Sequence, residues 1–161
     1  MTVPVPTIRP ATHGDLQHLA ALLAPDPLFS AYNLSAEALE ERWCDALTRG
    51  EGILVACPES QPVGLCWFSP SGTFALGVYL RLIAISSNAR SQGLGAHLLA
   101  AFEGACGKPT GGWFLLTSDF NTAGQRFYQR HGYREVGQLP DFAKPGITER
   151  IFWKPLPASP N

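Results

Sequence analysis

Apolar residues recur with helical spacing in some stretches of the chain and with strand spacing in others. A recurrence every three or four residues predicts helices at four places: after Thr12, from Ser35 to about Arg49, over 93–105 and over 122–131. Continuous or alternating apolar runs predict strands over the ranges 5–9, 53–57, 63–68, 78–85, 113–117, 133–139 and 147–153.

Short polar residues and helix breakers mark where the first elements begin and end. Thr12 is predicted to cap the first helix, with Asp15 in the capping-box position three residues later. The Pro25–Pro27 stretch is expected to end that helix. Ser35 is predicted to cap the second helix and Gly50 to stop it. The Pro- and Gly-containing segment 69–73 is expected to be a turn or loop.

The resulting order, β-α-α-β-β-β-α-β-α-β-β, predicts an α/β (α+β) fold in one domain. Strand 78–85, helix 93–105 and strand 113–117 form one βαβ unit, so these two strands should be parallel and their crossover right-handed. The hairpins on either side should make the rest of the sheet antiparallel, with helices on both faces. The expected domain is 1–161, with a core over about 5–155 and a frayed tail over 156–161.

Composition narrows the classes of protein. Hydrophobic residues make up 45% of the chain and charged residues 16%, so disorder is excluded for the chain as a whole. The net charge of −1 gives no broad basic surface, so nucleic acid is not an expected partner. No run approaches the roughly 20 apolar residues that span a bilayer. We therefore expect a cytoplasmic protein with no membrane partner.

The chain has four cysteines without zinc-site spacing, so no metal is expected and reduced, buried thiols are the simplest interpretation. They are Cys44, Cys57, Cys66 and Cys106.

The segment Arg90-Ser-Gln-Gly-Leu-Gly-Ala96 lies where a strand ends and a helix begins. The first N–H groups of a helix have no partners within it, and the helix dipole favours an anion there. Gly93 and Gly95 let a phosphate approach the backbone. A dinucleotide-binding fold is the competing interpretation, but it needs a small residue where Leu98 stands. A P-loop is excluded because the sequence G-K-[ST] is missing. A further alternative is that the two glycines only shape the loop and the helix packing and bind no ligand.

Two motifs in this order resemble those of the GNAT N-acetyltransferase superfamily. Arg90, Gly93 and Gly95 match its pyrophosphate motif [RQ]-x-x-G-x-[GA]. The segment from Asn121 to Tyr133 resembles its second motif, N-x-x-A-x-x-F-Y-x-x-x-G-[FY], with Gly124 in place of the usual alanine. The ending, with Glu149 on the last strand, is also similar. The resemblance covers roughly residues 5 to 155.

The resemblance implies a GNAT-like fold and an acetyl-CoA-dependent N-acetyltransferase that acts on a primary amine of a small molecule or peptide. The amine would attack directly in a ternary complex, without a metal. Tyr128 would be the catalytic acid for the departing CoA thiolate. The residues implied to bind the acetyl donor are Ile83, Ala84, Ile85, Arg90, Ser91, Gln92, Gly93, Leu94, Gly95, Ala96, Asn121 and Tyr128.

The general base and the acceptor stay open. Neither 78–85 nor 113–117 carries a carboxylate, which leaves a water relay, our preferred account, or Asp119. Acceptor choice should depend on Phe29 and Tyr32, on the loop Trp67–Phe74 and on Asp141-Phe142, although the same aromatic residues could close the core or a homodimer interface. The alternative function is a catalytically weak acyl-CoA-binding or regulatory module.

Overall fold

A computed structural model describes residues 5–158 of the chain. Within these residues, the strands and helices follow one another in the predicted order, with one additional short α-helix. In chain order they are β1 Thr7–Pro10, α1 His13–Leu23, α2 Pro27–Ala31, α3 Ala36–Thr48, β2 Gly52–Cys57, β3 Gly64–Thr73, β4 Gly77–Ile85, α4 Leu94–Ala105, β5 Trp113–Ser118, α5 Thr122–Arg130, β6 Arg134–Pro140 and β7 Thr148–Lys154.

The seven strands of the described residues hydrogen-bond in the order β1-β2-β3-β4-β5-β7-β6. β4 and β5 are parallel, with Val78 opposite Trp113 and Leu80 opposite Leu115. The registers of β1 with β2, β2 with β3, β5 with β7 and β6 with β7 are antiparallel. This confirms the predicted mixed, mostly antiparallel sheet with a central parallel βαβ unit.

The chain packs as two compact units, and the prediction of a single domain over 1–161 is untested. The first unit comprises 5–68 and 82–105. Its core contains α1, α3 and the strands β1 to β3, and its largest fully buried side chains include Leu16, Trp43 and Phe102. The apolar stripes of α1 and α3 face this core, as their periodicity predicts.

Side-chain caps fix the starts of α1 and α3 in the first unit. The Asp15 carboxylate accepts a hydrogen bond from the Thr12 amide at 2.8 Å, and Thr12 Oγ1 accepts one from the Asp15 amide. Arg9 adds an ion pair to Asp15 at 2.7 Å. Ser35 Oγ accepts a hydrogen bond from the Ala38 amide at 3.2 Å. Both predicted N-caps are therefore confirmed.

The second unit comprises 69–81 and 106–158 of the described chain. It contains the parallel β4–β5 pair, the β6–β7 hairpin and α5. Val78, Trp113, Leu115 and Phe152 are buried on one face of its strands. Residues 159–161 of the predicted frayed tail, and residues 1–4, lie outside the described residues.

One sequence-based prediction about a loop is wrong. Segment 69–73 is the second half of β3 instead of a turn. The pairing of β2 with β3 ends at Phe68, so on its β2 side Pro70 lies at a free edge of β3, where a proline is tolerated. The turn lies beyond it, where Phe74 and Ala75 both have positive φ, as a tight hairpin turn requires.

The stretch after α1 contains an element that the sequence analysis missed. The helix does end at Leu23, but a short helix, α2, follows at once. Asp26 caps it by accepting a hydrogen bond from the Leu28 amide at 2.8 Å, and Pro27 occupies its first turn. A proline at that position is favourable because its missing N–H would have no helical partner. Pro27 thus starts a helix that the sequence analysis did not predict.

Within residues 5–158, none of the helices has the length and apolar character needed to cross a bilayer.

Candidate active site

The start of α4 carries the first set of predicted site residues, in the first unit. The first α-helical bond runs from the His97 amide to the Gly93 carbonyl, so the amides of Leu94, Gly95 and Ala96 precede the helix's own ladder. The residue before the helix is Gly93, which has no side chain with which to cap these amides. The helix therefore starts with N–H groups and dipole oriented toward an anion.

The loop before α4 adopts a backbone that only few residue types favour. Gly93 has φ +76° and Ser91 has φ +63°, and both lie in the left-handed region. A left-handed conformation costs a non-glycine residue roughly 1–2 kcal/mol. A Cβ added at Gly93 would find its nearest neighbour, the His97 ring, 3.9 Å away, so the space beside Gly93 is open. The terminus thus combines amides that precede the helical ladder with open space beside Gly93.

The Arg90 side chain fastens the loop to its surroundings in the same unit. Its Nε donates to the Ile85 carbonyl at 3.2 Å, and its guanidinium forms an ion pair with Asp26, the cap of α2. Ile83, Ala84 and Ile85 on β4 are half-buried. The sequence-predicted residues from Ile83 to Ala96 thus form one continuous strand–loop–helix segment.

Asn121 and Tyr128, the other predicted site residues, lie on α5 in the second unit. Asn121 caps α5, because its Oδ1 accepts a hydrogen bond from the Gly124 amide at 3.1 Å. A Cβ on Gly124 would lie 2.6 Å from Asn121 Nδ2. The departure from the usual alanine in the second motif therefore makes room for this cap.

Tyr128 is buried, with 8% of its surface exposed. Its ring contacts Phe127 at 5.1 Å and Tyr133 at 5.8 Å between centroids, both edge-to-face. These contacts fix the ring, which is what a positioned proton donor needs. The phenol hydroxyl is the group on α5 whose chemistry suits an acid near a thiolate.

Asp119, one of the two alternatives for the base, is held by the β7 backbone. Its Oδ2 accepts a hydrogen bond from the Thr148 amide at 3.3 Å, and its own amide donates to the Thr148 carbonyl at 2.9 Å. Asp119 therefore stabilises the end of β5. The following residue on β7, Glu149, is a buried carboxylate to which the sequence analysis gave no role. The feature of the sequence that could have pointed to Glu149 was the strand pattern of β7, which lies beside β5.

The four cysteines are free thiols, buried at Cys57 and Cys66 and half-buried at Cys44 and Cys106. Burial raises the pKa of the Cys106 thiol to about 11. No group of three or more His, Cys, Asp or Glu residues in the described ranges is arranged to hold a metal ion.

Comparison with known families tests the interpretation of these two segments. The profile of the Acetyltransferase (GNAT) family matches residues 16–133, which is more than half of the chain and includes both motifs. The chain belongs to the GNAT family of acetyltransferases. Acetyl transfer is thus the general reaction of this chain's family, and acetyl-CoA is the donor that the family uses.

Individual relatives of this GNAT chain agree with the assignment. Blasticidin-S acetyltransferase from Streptomyces morookaense is 37% identical over 81 residues, which cover 49% of this chain and 57% of that protein. The match thus spans little more than half the length of that curated relative.

Solved GNAT structures reproduce the fold. Ribosomal-protein-alanine N-acetyltransferase from Brucella melitensis has a TM-score of 0.72 at 24% identity, covering 93% of this chain and 99% of that one. A GNAT acetyltransferase from Bacillus cereus ATCC 10987 has a TM-score of 0.74 at 18% identity, covering 96% and 100%. The protein yncA from Salmonella typhimurium, solved with its cofactor acetyl-CoA, has a TM-score of 0.68 at 17% identity, covering 98% and 99%.

Proposed function

We propose that this GNAT protein is an N-acetyltransferase that moves the acetyl group of acetyl-CoA to a primary amine of a small molecule or peptide. The start of α4 carries the proposal, since the amides that precede its ladder, its dipole and the open space at Gly93 suit a diphosphate. The net charge of −1 is compatible with this way of binding a diphosphate, because backbone amides hold the anion and few basic side chains are needed.

Each predicted site residue then has a proposed task. The amides of Ser91 to Ala96 hold the diphosphate, and Arg90 supports their loop through Asp26 and Ile85. The backbone of Ile83–Ile85 pairs with the extended arm of the donor, as an added strand would. An amide of that strand polarises the acetyl carbonyl. Acetyl-CoA, when bound, supplies an activated acetyl thioester.

The two predicted site residues of the α5 segment, in the second unit, have proposed tasks of their own. Asn121 holds the start of α5 and contacts the donor's arm, and the Tyr128 phenol gives its proton to the leaving thiolate. The amine attacks directly in a ternary complex, so no acetyl-enzyme forms. The relative that is named for its substrate, a blasticidin-S acetyltransferase, supports a small-molecule acceptor, and the ribosomal-protein-alanine N-acetyltransferase of the same fold supports a peptide.

Calorimetric titration tests the donor first. The protein should bind acetyl-CoA and desulfo-CoA, which share the diphosphate and the extended arm, and should not bind NAD, which has a diphosphate but lacks that arm. Absence of heat with acetyl-CoA would rule out the donor assignment. Binding without turnover of any amine would instead favour the alternative, a catalytically weak acyl-CoA-binding module.

A further inference from the structure

The Asp26 carboxylate contacts two different elements of the first unit. Its Oδ1 accepts a hydrogen bond from the Leu28 amide at 2.8 Å and so caps α2. Its Oδ2 forms an ion pair with the guanidinium of Arg90, which lies in the segment 86–93 between β4 and α4. We call this segment the donor loop. Because Asp26 and Arg90 are 64 positions apart in the chain, one carboxylate joins the start of α2 to a loop that is distant in sequence.

The Arg90 side chain extends this connection to the end of β4. Its Nε donates to the Ile85 carbonyl at 3.2 Å, while its Nη2 binds Asp26. The donors of a guanidinium lie in one rigid plane, so two contacts on different nitrogens fix the direction of the group. The side chain of Asp26 is 20% exposed and that of Arg90 is 52% exposed, so solvent screens the ion pair only in part.

The donor loop has a strained backbone directly beside Arg90. Ser91 has φ +63°, which lies in the left-handed region and is unfavourable for a residue with a side chain. Such a conformation persists where the surrounding structure holds it in place. The Arg90 side chain, one residue away, supplies two contacts of this kind. The ion pair with Asp26 therefore helps to keep the donor loop in its strained form before any ligand arrives.

The α2 helix gives the Asp26 carboxylate a fixed base. It has only five residues, Pro27–Ala31, and a helix this short depends on its cap and its packing because it is not stable alone. Phe29 packs α2 into the core cluster that contains residues of α1 and α3, and only 4% of the Phe29 surface is exposed. Asp26 thus connects the donor loop to a helix that is anchored in the core of the first unit.

We infer that Asp26 is a positioning residue for acetyl-CoA, an inference that rests on the proposed N-acetyltransferase function. Through Arg90 it holds the donor loop in the form that presents the amides of Ser91 to Ala96, so less conformational freedom is lost when the diphosphate binds. Since the same carboxylate caps α2, donor binding and the stability of α2 are coupled. The coupling is reciprocal, so a bound donor stabilises α2, and loss of the Asp26 contact weakens donor binding.

Calorimetric titration of acetyl-CoA tests the effect on donor binding. Asp26→Asn is the informative variant, because asparagine caps a helix as well as aspartate does but lacks the charge that binds Arg90. It should raise the Kd of acetyl-CoA about fivefold, at the low end of couplings between sites because the ion pair is partly exposed. Arg90→Gln should also raise this Kd. Adding Asp26→Asn to Arg90→Gln should cause no further loss, since both substitutions remove the same contact.

Hydrogen exchange of backbone amides tests the reciprocal effect on α2. In the wild type, acetyl-CoA should slow the exchange of a peptide that spans residues 27–34, measured by mass spectrometry, because local opening of α2 becomes less favourable. Arg90→Gln leaves the Asp26 cap itself in place. In that variant the slowing should be lost, even at acetyl-CoA concentrations that saturate the protein.

Asp15→Asn is the matched control within the same unit. Asp15 also belongs to the start of a helix and pairs with an arginine, Arg9, at 2.7 Å. Its side-chain hydrogen bonds go to Arg9 and Thr12, which lie outside the donor loop. Asp15→Asn should therefore lower stability and leave the Kd of acetyl-CoA unchanged. If Asp26→Asn does not fold, Asp26→Ser takes its place, because serine also caps a helix without carrying a charge.

Three results overturn the inference and leave the proposed function intact. The first is a Kd of acetyl-CoA that does not change in Asp26→Asn. The second is a Kd that rises equally in Asp15→Asn, which would assign the effect to lost stability. The third is exchange of the α2 amides that does not respond to acetyl-CoA in the wild type. A wild type that gives no heat with acetyl-CoA overturns the proposed function itself, and the inference with it.

Discussion

The side chain of Asn121 and the backbone of Gly124 form one unit at the start of α5. Asn121 Oδ1 accepts the Gly124 amide hydrogen at 3.1 Å, and a Cβ at position 124 would lie 2.6 Å from Asn121 Nδ2. The cap and the glycine therefore depend on each other. From the motif alone, Gly124 is only a residue of low helix propensity. The structure shows that this loss is offset by the Asn121 cap, for which the glycine leaves room.

This relationship predicts strong coupling between the two positions. Asn121→Ala should lower the free energy of unfolding by about 1 kcal/mol through the lost cap. Gly124→Ala should have little net effect in the wild type, because the helix-propensity gain of about 1 kcal/mol is offset by the displaced cap. In a protein that already carries Asn121→Ala, Gly124→Ala should raise the free energy of unfolding by most of that gain in helix propensity. Urea denaturation of the four proteins measures the coupling, and simple additivity would contradict it.

The ion pair of Arg9 with Asp15 predicts a pH dependence of stability. Hydrogen bonds from Arg9 and Thr12 hold the pKa of the Asp15 carboxyl well below its usual range. A depressed pKa contributes stability that is fully present above the unfolded pKa of about 3.9 and is lost as the pH falls through the folded value. The stability advantage of the wild type over Asp15→Asn should therefore be constant from pH 7 to pH 5 and shrink below about pH 4. Thermal melts of both proteins across this range measure it, and an advantage that grows toward acid pH would show the sign to be wrong.

The open space at Gly93 predicts that a side chain there blocks the donor. Gly93→Val should abolish the rise in melting temperature that acetyl-CoA gives the wild type, since a ligand selective for the folded state stabilises it. Gly50→Val is the matched control. Gly50 also has φ +76° with nothing within 4 Å of an added Cβ, so it carries the same backbone strain far from the loop in sequence. If both variants keep the acetyl-CoA shift, the diphosphate does not bind at this terminus.

The buried phenol of Tyr128 predicts a separation of binding from turnover. Tyr128→Phe keeps the ring contacts with Phe127 and Tyr133 and removes the acid. Because general acid catalysis contributes roughly 10²–10⁴-fold, kcat should fall at least tenfold while acetyl-CoA affinity changes little. Tyr133→Phe, which removes a neighbouring buried phenol, should leave kcat unchanged. Equal kcat values for all three proteins would remove Tyr128 from the mechanism.

Local signals in the sequence predict much of the fold. The Thr12–Asp15 and Ser35 caps, the apolar stripes of α1 and α3, and the βαβ centre follow from capping chemistry and periodicity, which act over a few residues. The same rules fail at Ser69–Thr73 and Pro27. In the first segment the end of the β2 pairing accommodates a proline, and in the second the first turn of α2 accommodates Pro27. Neither circumstance can be derived from the segment alone.

The candidate site also has features that the local sequence predicts and features that it does not. The Arg90–Gly95 and Asn121–Tyr133 segments are contiguous and could be identified in the sequence. The burial of Glu149 beside Ser118 could not be predicted, because it depends on the register of β7 against β5, two strands that are far apart in the chain.

The most direct test of the central claim is mass spectrometry of product formed from isotopically labelled acetyl-CoA. The protein is incubated with the labelled donor and a panel of primary amines and peptides, with Gly93→Val as the control. The account predicts that at least one amine gains the labelled acetyl group through nitrogen in the presence of the wild type and not of the variant. A wild type that binds the donor, yet transfers label to no amine in the panel or in a cell extract, would contradict it.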